Sequence, residues 1–192
     1  MELDEHLLSG PEIEALTRRI DRSVVLVGMM GVGKTTVGRK LAATLHMPFA
    51  DADEAIEEAA QLTIPEIFER HGEADFRDGE RRVIARLIGQ QGGQRRVIAT
   101  GGGAFCNAET RALILEKAIT VWIDSDIDTL VERTNRRDNR PLLKQGDPRE
   151  TLTRLKTERE PFYSQAPIHV ISGHAAHTRT VAQICKEISG WL

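Results

Sequence analysis

Along the chain, short runs of consecutive apolar residues alternate with longer stretches in which apolar and polar positions recur at helical spacing. Val24 to Val27 is the first run, and others follow as RVIAT (Arg96 to Thr100), ITVWI (Ile119 to Ile123) and IHVI (Ile168 to Ile171). A run with no polar alternation reads as a strand covered on both faces. Phe49 and Ala50 end a shorter strand ahead of Asp51. The sequence between the runs is of helix length. An amphipathic helix is expected from about Pro11 to Ile20, and GKTTVGRKLAATL forms another directly after the glycine-rich segment that follows Val27. Further helix starts are signalled by Thr63 with Glu66, by Ser125 with Asp128, and by Asp147 ahead of Pro148 and Glu150. In each, a capping side chain and an acidic residue three positions on meet the first free N–H groups.

Apolar strands alternating with helices predict an α/β fold of three layers, α/β/α, around a central parallel sheet of about five strands. One segment breaks the pattern. RTNRRDNRPLLKQGDP is dense in arginine, has no periodic apolar face and is punctuated by Pro141, Gly146 and Pro148, so a mobile lid is expected over about residues 133–148. With no internal repeat, the chain divides into a helical N-terminal extension, residues 1–22, and a single domain, residues 23–192.

Composition narrows the function classes. A net charge of -3 gives no general reason to bind nucleic acid or an anionic membrane, so anionic substrates have to be met by local arginines. No run is long enough to span a bilayer, and MELDEHLLSGPEIEALTRRI is too acidic for a secretory signal; a cytoplasmic location is expected. Cys106 and Cys185 lack metal-ligand spacing and read as packing residues in a reducing compartment. His174 and His177 have no third ligand nearby in sequence to make a metal site.

The chemistry begins at VVLVGMMGVGKTTVGRK, where Gly28, Gly33, Lys34 and Thr35 stand in Gly-x-x-x-x-Gly-Lys-Thr spacing between strand and helix. Backbone N–H groups of such a loop point at phosphates, Lys34 adds a cation at the β/γ oxygens, and the Thr35 hydroxyl is placed to ligate Mg²⁺. Asp51 and Asp53 follow the second strand at the sheet edge where ligands bind, two residues apart and directed the same way. One carboxylate can hold a metal shell and the other face an acceptor hydroxyl; alternatively, either caps the next helix. Gly101, Gly102 and Gly103 follow a buried strand, which suggests close approach of a ligand to backbone. Arg77 near one helix start and Arg159 near one helix end offer forks that match a carboxylate. No Asn-Lys-x-Asp stretch is present to read guanine: Asn107, Asn135 and Asn139 all lack that context.

Taken in order, GMMGVGKTTVGRKLA, DADEAIE, TIPEIFERHGEADFRDGE, IATGGGAF, RPLL and LTRLKTEREPFY closely resemble the shikimate kinases, over about Val24 to Ala166. The resemblance implies a fold of the P-loop kinase type and transfer of the γ-phosphoryl group of ATP to the 3-hydroxyl of shikimate. By it, Gly31, Val32, Gly33, Lys34, Thr35 and Thr36 bind the phosphates, Thr35 and Asp51 hold Mg²⁺, and Asp53 engages the shikimate hydroxyls. Arg77 and Arg159 take the carboxylate, Gly101, Gly102 and Gly103 lie against the ring, and Arg140 closes over the transferring phosphate. Lys34, Asp53 and Arg140 are the expected catalytic residues. Arg133 matches a position that stacks on adenine, with Arg136 and Arg137 as alternatives, whereas Ala175 and Ala176 fall where other members carry an arginine. The expected partners are ATP and shikimate for a monomer, with no nucleic acid and no membrane. A related kinase acting on gluconate is the nearest rival, and the paired arginines with the glycine turn argue against it.

Overall fold

The computed structural model describes residues 8–89, 94–135, 147–173 and 177–192. Five strands, β1 (Val24–Val27), β2 (Phe49–Asp51), β3 (Val97–Ala99), β4 (Ile119–Asp124) and β5 (Ile168–Ile171), form one sheet in the order β2-β3-β1-β4-β5. Every pairing is parallel, with Val25 of β1 set between Ile98 and Thr120. The helices are α1 (Gly10–Arg19), α2 (Lys34–Thr44), α3 (Ala52–Ala60), α4 (Ile64–Gly89), α5 (Ala108–Lys117), α6 (Ile127–Asn135), α7 (Pro148–Tyr163) and α8 (His177–Trp191). The expected parallel α/β sheet is therefore present.

The order of the strands fixes where a ligand can sit. From β1 the chain moves through α2 to β2 in one direction along the sheet, and from β3 through α5 to β4 in the other. Right-handed crossovers then put α2 and α5 on opposite faces. In agreement, α2 packs on α8 and β3, and α5 on β4 and α4. The reversal opens a crevice beyond the C-terminal ends of β1 and β3.

One hydrophobic cluster joins the layers, from Leu16 and Ile20 near the N-terminus through Leu26, Leu41, Ile84, Ile114 and Leu152 to Ile184 and Ile188 of α8. Each such side chain, fully buried, contributes about 1.5–3 kcal/mol. The first helix is also held by polar bonds: Thr17 Oγ1 donates to Leu45 O at 3.3 Å and Arg19 Nη2 to Ser189 O at 3.1 Å. Cys185 is buried, Cys106 is half-buried against the core, and both thiols are free. Among the described residues no helix is long and apolar enough to cross a membrane.

Several elements differ from their sequence expectations for local reasons. Thr63 and Glu66 form the expected box, with Thr63 Oγ1 donating to Glu66 Oε2 at 2.7 Å, and Asp147 accepts from Arg149 N at 2.9 Å. The third start is one residue later than expected. Asp126, not Ser125, accepts from Thr129 N at 2.8 Å, while the Ser125 hydroxyl donates to Ser172 O at 2.6 Å. Helix α4 is broken at Gly72, whose φ of 78° and ψ of 177° are not helical, so Arg77 lies early in its second segment. Strand β5 is covered on one face only: Ile168 and Val170 are buried while Ile171 is 64% exposed, as befits a sheet edge. Of the segment expected as a lid, residues 133–135 close α6 and Pro148 opens α7. Buried Thr134 donates to Leu130 O at 2.7 Å, and proline suits a first helical turn. Residues 136–146, with Arg136, Arg137 and Arg140, lie outside the described residues, as do His174, Ala175 and Ala176.

Candidate active site

The loop from β1 to α2 turns through Gly31 and Gly33, at φ 88° and 95°, a region that residues with a Cβ rarely occupy. Gly33 caps α2, so the first free N–H groups of that helix face the crevice. Lys34 follows at once. Its ammonium is buried and donates to Gly28 O at 2.7 Å and Met29 O at 2.9 Å, which holds it along the loop. Thr35 Oγ1, one residue on, donates to Asp51 Oδ2 at 2.8 Å.

Asp51 is the cap of α3, and its second oxygen is left to meet Thr35. Its Oδ1 accepts from Asp53 N at 3.0 Å and starts α3, while its Oδ2 meets Thr35. Asp53 itself differs from the strand-edge expectation: it lies in the first turn of α3, so its direction comes from the helix and not from strand alternation. Burial, and then the nearby Asp51 carboxylate, push the Asp53 carboxyl above its ordinary value, with Lys34 and Arg77 opposing.

The glycine turn after β3 is where the remaining groups meet. A Cβ on Gly101 would lie 2.7 Å from Asp53 Oδ1, one on Gly102 3.2 Å from Met30 N, and one on Gly103 2.7 Å from Arg77 Nη2. The turn therefore touches the aspartate, the phosphate loop and the arginine with its bare backbone. Arg159 Nη1 donates to Gly102 O at 3.1 Å. Arg77, Arg159 and Asp53 thus converge on one turn beside the phosphate loop.

Two residues beside this turn had no role in the sequence reading. Glu80 is 1% exposed and accepts from Arg77 Nη1 at 2.7 Å. Burial pushes its carboxyl up against the pull of Arg77. The signal was the three-residue spacing from Arg77, which places the two side chains on one helix face. Tyr163 is buried, stacks near Phe105 and Trp122, and donates its hydroxyl to Gly102 O. Its sequence neighbourhood at a helix end gives no comparable hint.

Arg133 approaches the phosphate loop from α6, donating to Val32 O at 3.1 Å, to Ser172 Oγ at 3.2 Å and to Gly173 O at 2.6 Å. It ties the loop to the turn after β5. His177 lies against the same place, its Cε1 3.3 Å from where a Cβ of Gly33 would be. Burial, Arg133 and Lys40 hold its imidazole below the ordinary value. Among the described residues no group of three or more His, Cys, Asp or Glu stands ready to hold a metal ion.

A phosphate-binding loop on the central strand of a parallel sheet, beside a glycine turn met by a half-buried carboxylate and two arginines, defines a P-loop kinase. The family description "Shikimate kinase" matches residues 30–189. A shikimate kinase of Novosphingobium aromaticivorans is 65% identical over the full length of both chains. One of Bradyrhizobium diazoefficiens is 52% identical over 96% of this chain and 87% of its own. The solved shikimate kinase of Acinetobacter baumannii in complex with shikimate superposes with a TM-score of 0.79 at 35% identity, over 95% of this chain and 98% of the other. The chain belongs to the shikimate kinase family.

Proposed function

We propose that the chain is a shikimate kinase, transferring the γ-phosphoryl group of ATP to the 3-hydroxyl of shikimate to give shikimate 3-phosphate and ADP for aromatic amino-acid biosynthesis. One observation carries the choice of acceptor: Asp53, Arg77 and Arg159 converge on the turn at Gly101, Gly102 and Gly103, within contact of the phosphate loop at Met30. Arg77 and Arg159 take the acceptor carboxylate, and Asp53 faces its hydroxyls. A guanidinium has five N–H donors, so bonds to Glu80 or to Gly102 leave each arginine able to fork onto a carboxylate.

Phosphoryl transfer needs positioning and charge neutralisation more than covalent help. Gly31, Val32, Gly33 and Thr36 offer the phosphates backbone N–H groups, Lys34 a cation, and Arg133 holds the loop from the adenine side. Arg140 is assigned from sequence to the transferring phosphate. Mg²⁺ suits the paired oxygens of Thr35 and Asp51, since it takes one or two protein oxygens and completes its shell with phosphate and water. When bound, it would neutralise charge on the phosphates. Asp53, with a raised pKa, is suited to accept the hydroxyl proton or to orient its oxygen. We further assign a cytoplasmic monomer without nucleic-acid or membrane partners.

The test is ADP release with shikimate, quinate or gluconate against a blank without acceptor. Shikimate should stimulate Mg²⁺-dependent release well beyond the others; equal release with and without shikimate overturns the assignment. The arginines give a finer check. Arg159→Ala should weaken shikimate binding by about 1.5–3 kcal/mol and largely spare ATP, as expected for a lost charged hydrogen bond. Arg77→Ala should do the same and also lower the melting temperature, because it leaves buried Glu80 without its cation. Calorimetry and thermal melts separate the two, and unchanged shikimate affinity in both variants would remove the carboxylate clamp.

A further inference from the structure

We infer that Tyr163 is a positioning residue of the acceptor pocket, its hydroxyl fixing the Gly102 carbonyl and through it the direction of Arg159. The bond falls at a junction. Gly102 O accepts from both Tyr163 Oη and Arg159 Nη1, so two donors one helical turn apart on α7 fill both lone pairs of one carbonyl. The same residue is in close contact with the phosphate loop, a Cβ on it lying 3.2 Å from Met30 N and 3.8 Å from Gly28 O. Helix α7, the acceptor turn and the phosphate loop are thus joined at one peptide.

Tyr163 is itself immobilised. It is 1% exposed, with ring centroids 6.0 Å from Trp122 and 6.5 Å from Phe105, both within about 30° of parallel by the observed 26° and 10°. Burial raises its phenol far above the ordinary value, which keeps the hydroxyl protonated as a donor. A rigid ring that ends in one donor is a fixed stop for the carbonyl. Without it, Arg159 alone must hold Gly102, and the guanidinium is drawn between the backbone and the acceptor carboxylate.

This inference rests on the shikimate kinase assignment for its kinetic readout only. Tyr163→Phe keeps the stacked ring and removes the hydroxyl. It should raise KM for shikimate by about five- to tenfold, the scale of one lost hydrogen bond, with a smaller fall in kcat and no change in KM for ATP. In the ligand-free protein the amides of Ala104 and Cys106, which donate to Gly101 O and Gly103 O, should exchange faster. Tyr163→Leu, which loses the ring as well, should add a fall in melting temperature. If Tyr163→Phe keeps the parental KM and parental exchange while only Tyr163→Leu is impaired, ring packing is the whole role and the inference is overturned. Parental enzyme without shikimate-dependent ADP release would instead refute the assignment of function, and the ligand-free exchange result would still decide the role of Tyr163.

Discussion

Replacing Asp53 by Asn is expected to lower turnover by about 10²- to 10⁴-fold, the usual range for a general base, while making the ligand-free protein more stable near neutral pH. The two effects share a cause. Asp53 is half-buried beside Asp51, and desolvation with that neighbouring carboxylate raises its folded pKa above the ordinary 3.8. A carboxyl raised in this way binds its proton more tightly in the folded chain. The stabilisation from that proton is fully present below the unfolded value and is lost as pH rises through the folded one. Near neutrality the ionised group is a burden on the fold that Asn does not carry. The advantage of Asp53→Asn in denaturant melts should therefore shrink as pH falls toward 3.8. Parental turnover in the variant would take Asp53 out of the chemistry, and equal stability at neutral pH would contradict the burial argument.

Lys34→Met should be as damaging, with turnover down by about 10²- to 10³-fold, as for removal of one preorganised donor at a developing charge. The ammonium is held against Gly28 O and Met29 O, so its position does not depend on the nucleotide. It also opposes the rise in the Asp53 pKa. Loss of the cation should shift the acid limb of the residual pH-rate profile to higher pH, because Asp53 then ionises less readily. A variant with parental turnover, or with an acid limb moved downward, would rule out this pairing of cation and carboxylate.

Much of this arrangement was legible in the sequence because it is local. Gly33, Lys34 and Thr35 act within one loop, and the strands β1, β3 and β4 are apolar on both faces because both faces are covered. Where the sequence misled, a tertiary neighbour decided. Ser125 has the chemistry of a cap but its hydroxyl is taken by Ser172 from the turn after β5, which leaves the cap to Asp126. IHVI looks like an interior strand, yet among the described residues it is the last of the sheet, and Ile171 is left 64% exposed. Asp53 sits near Asp51 as expected, but by helical geometry, since the chain leaves β2 directly into α3. Glu80 and Tyr163 escaped notice because a buried carboxylate and a buried phenol differ from exposed ones only in what folds over them.

The turn at Gly101, Gly102 and Gly103 has a bearing on how acceptor preference can change over evolutionary time. Its contacts with Asp53, Met30 and Arg77 are made by peptide groups with no side chain between. A surface of bare backbone is crowded even by small substitutions: a Cβ at Gly101 or Gly103 pushes aside the Asp53 carboxylate or the Arg77 guanidinium, and one at Gly102 presses on the phosphate loop at Met30 N. On the proposed function, a change at this floor also displaces the walls at Asp53 and Arg77 or the phosphate loop at Met30, so the two cannot be altered independently.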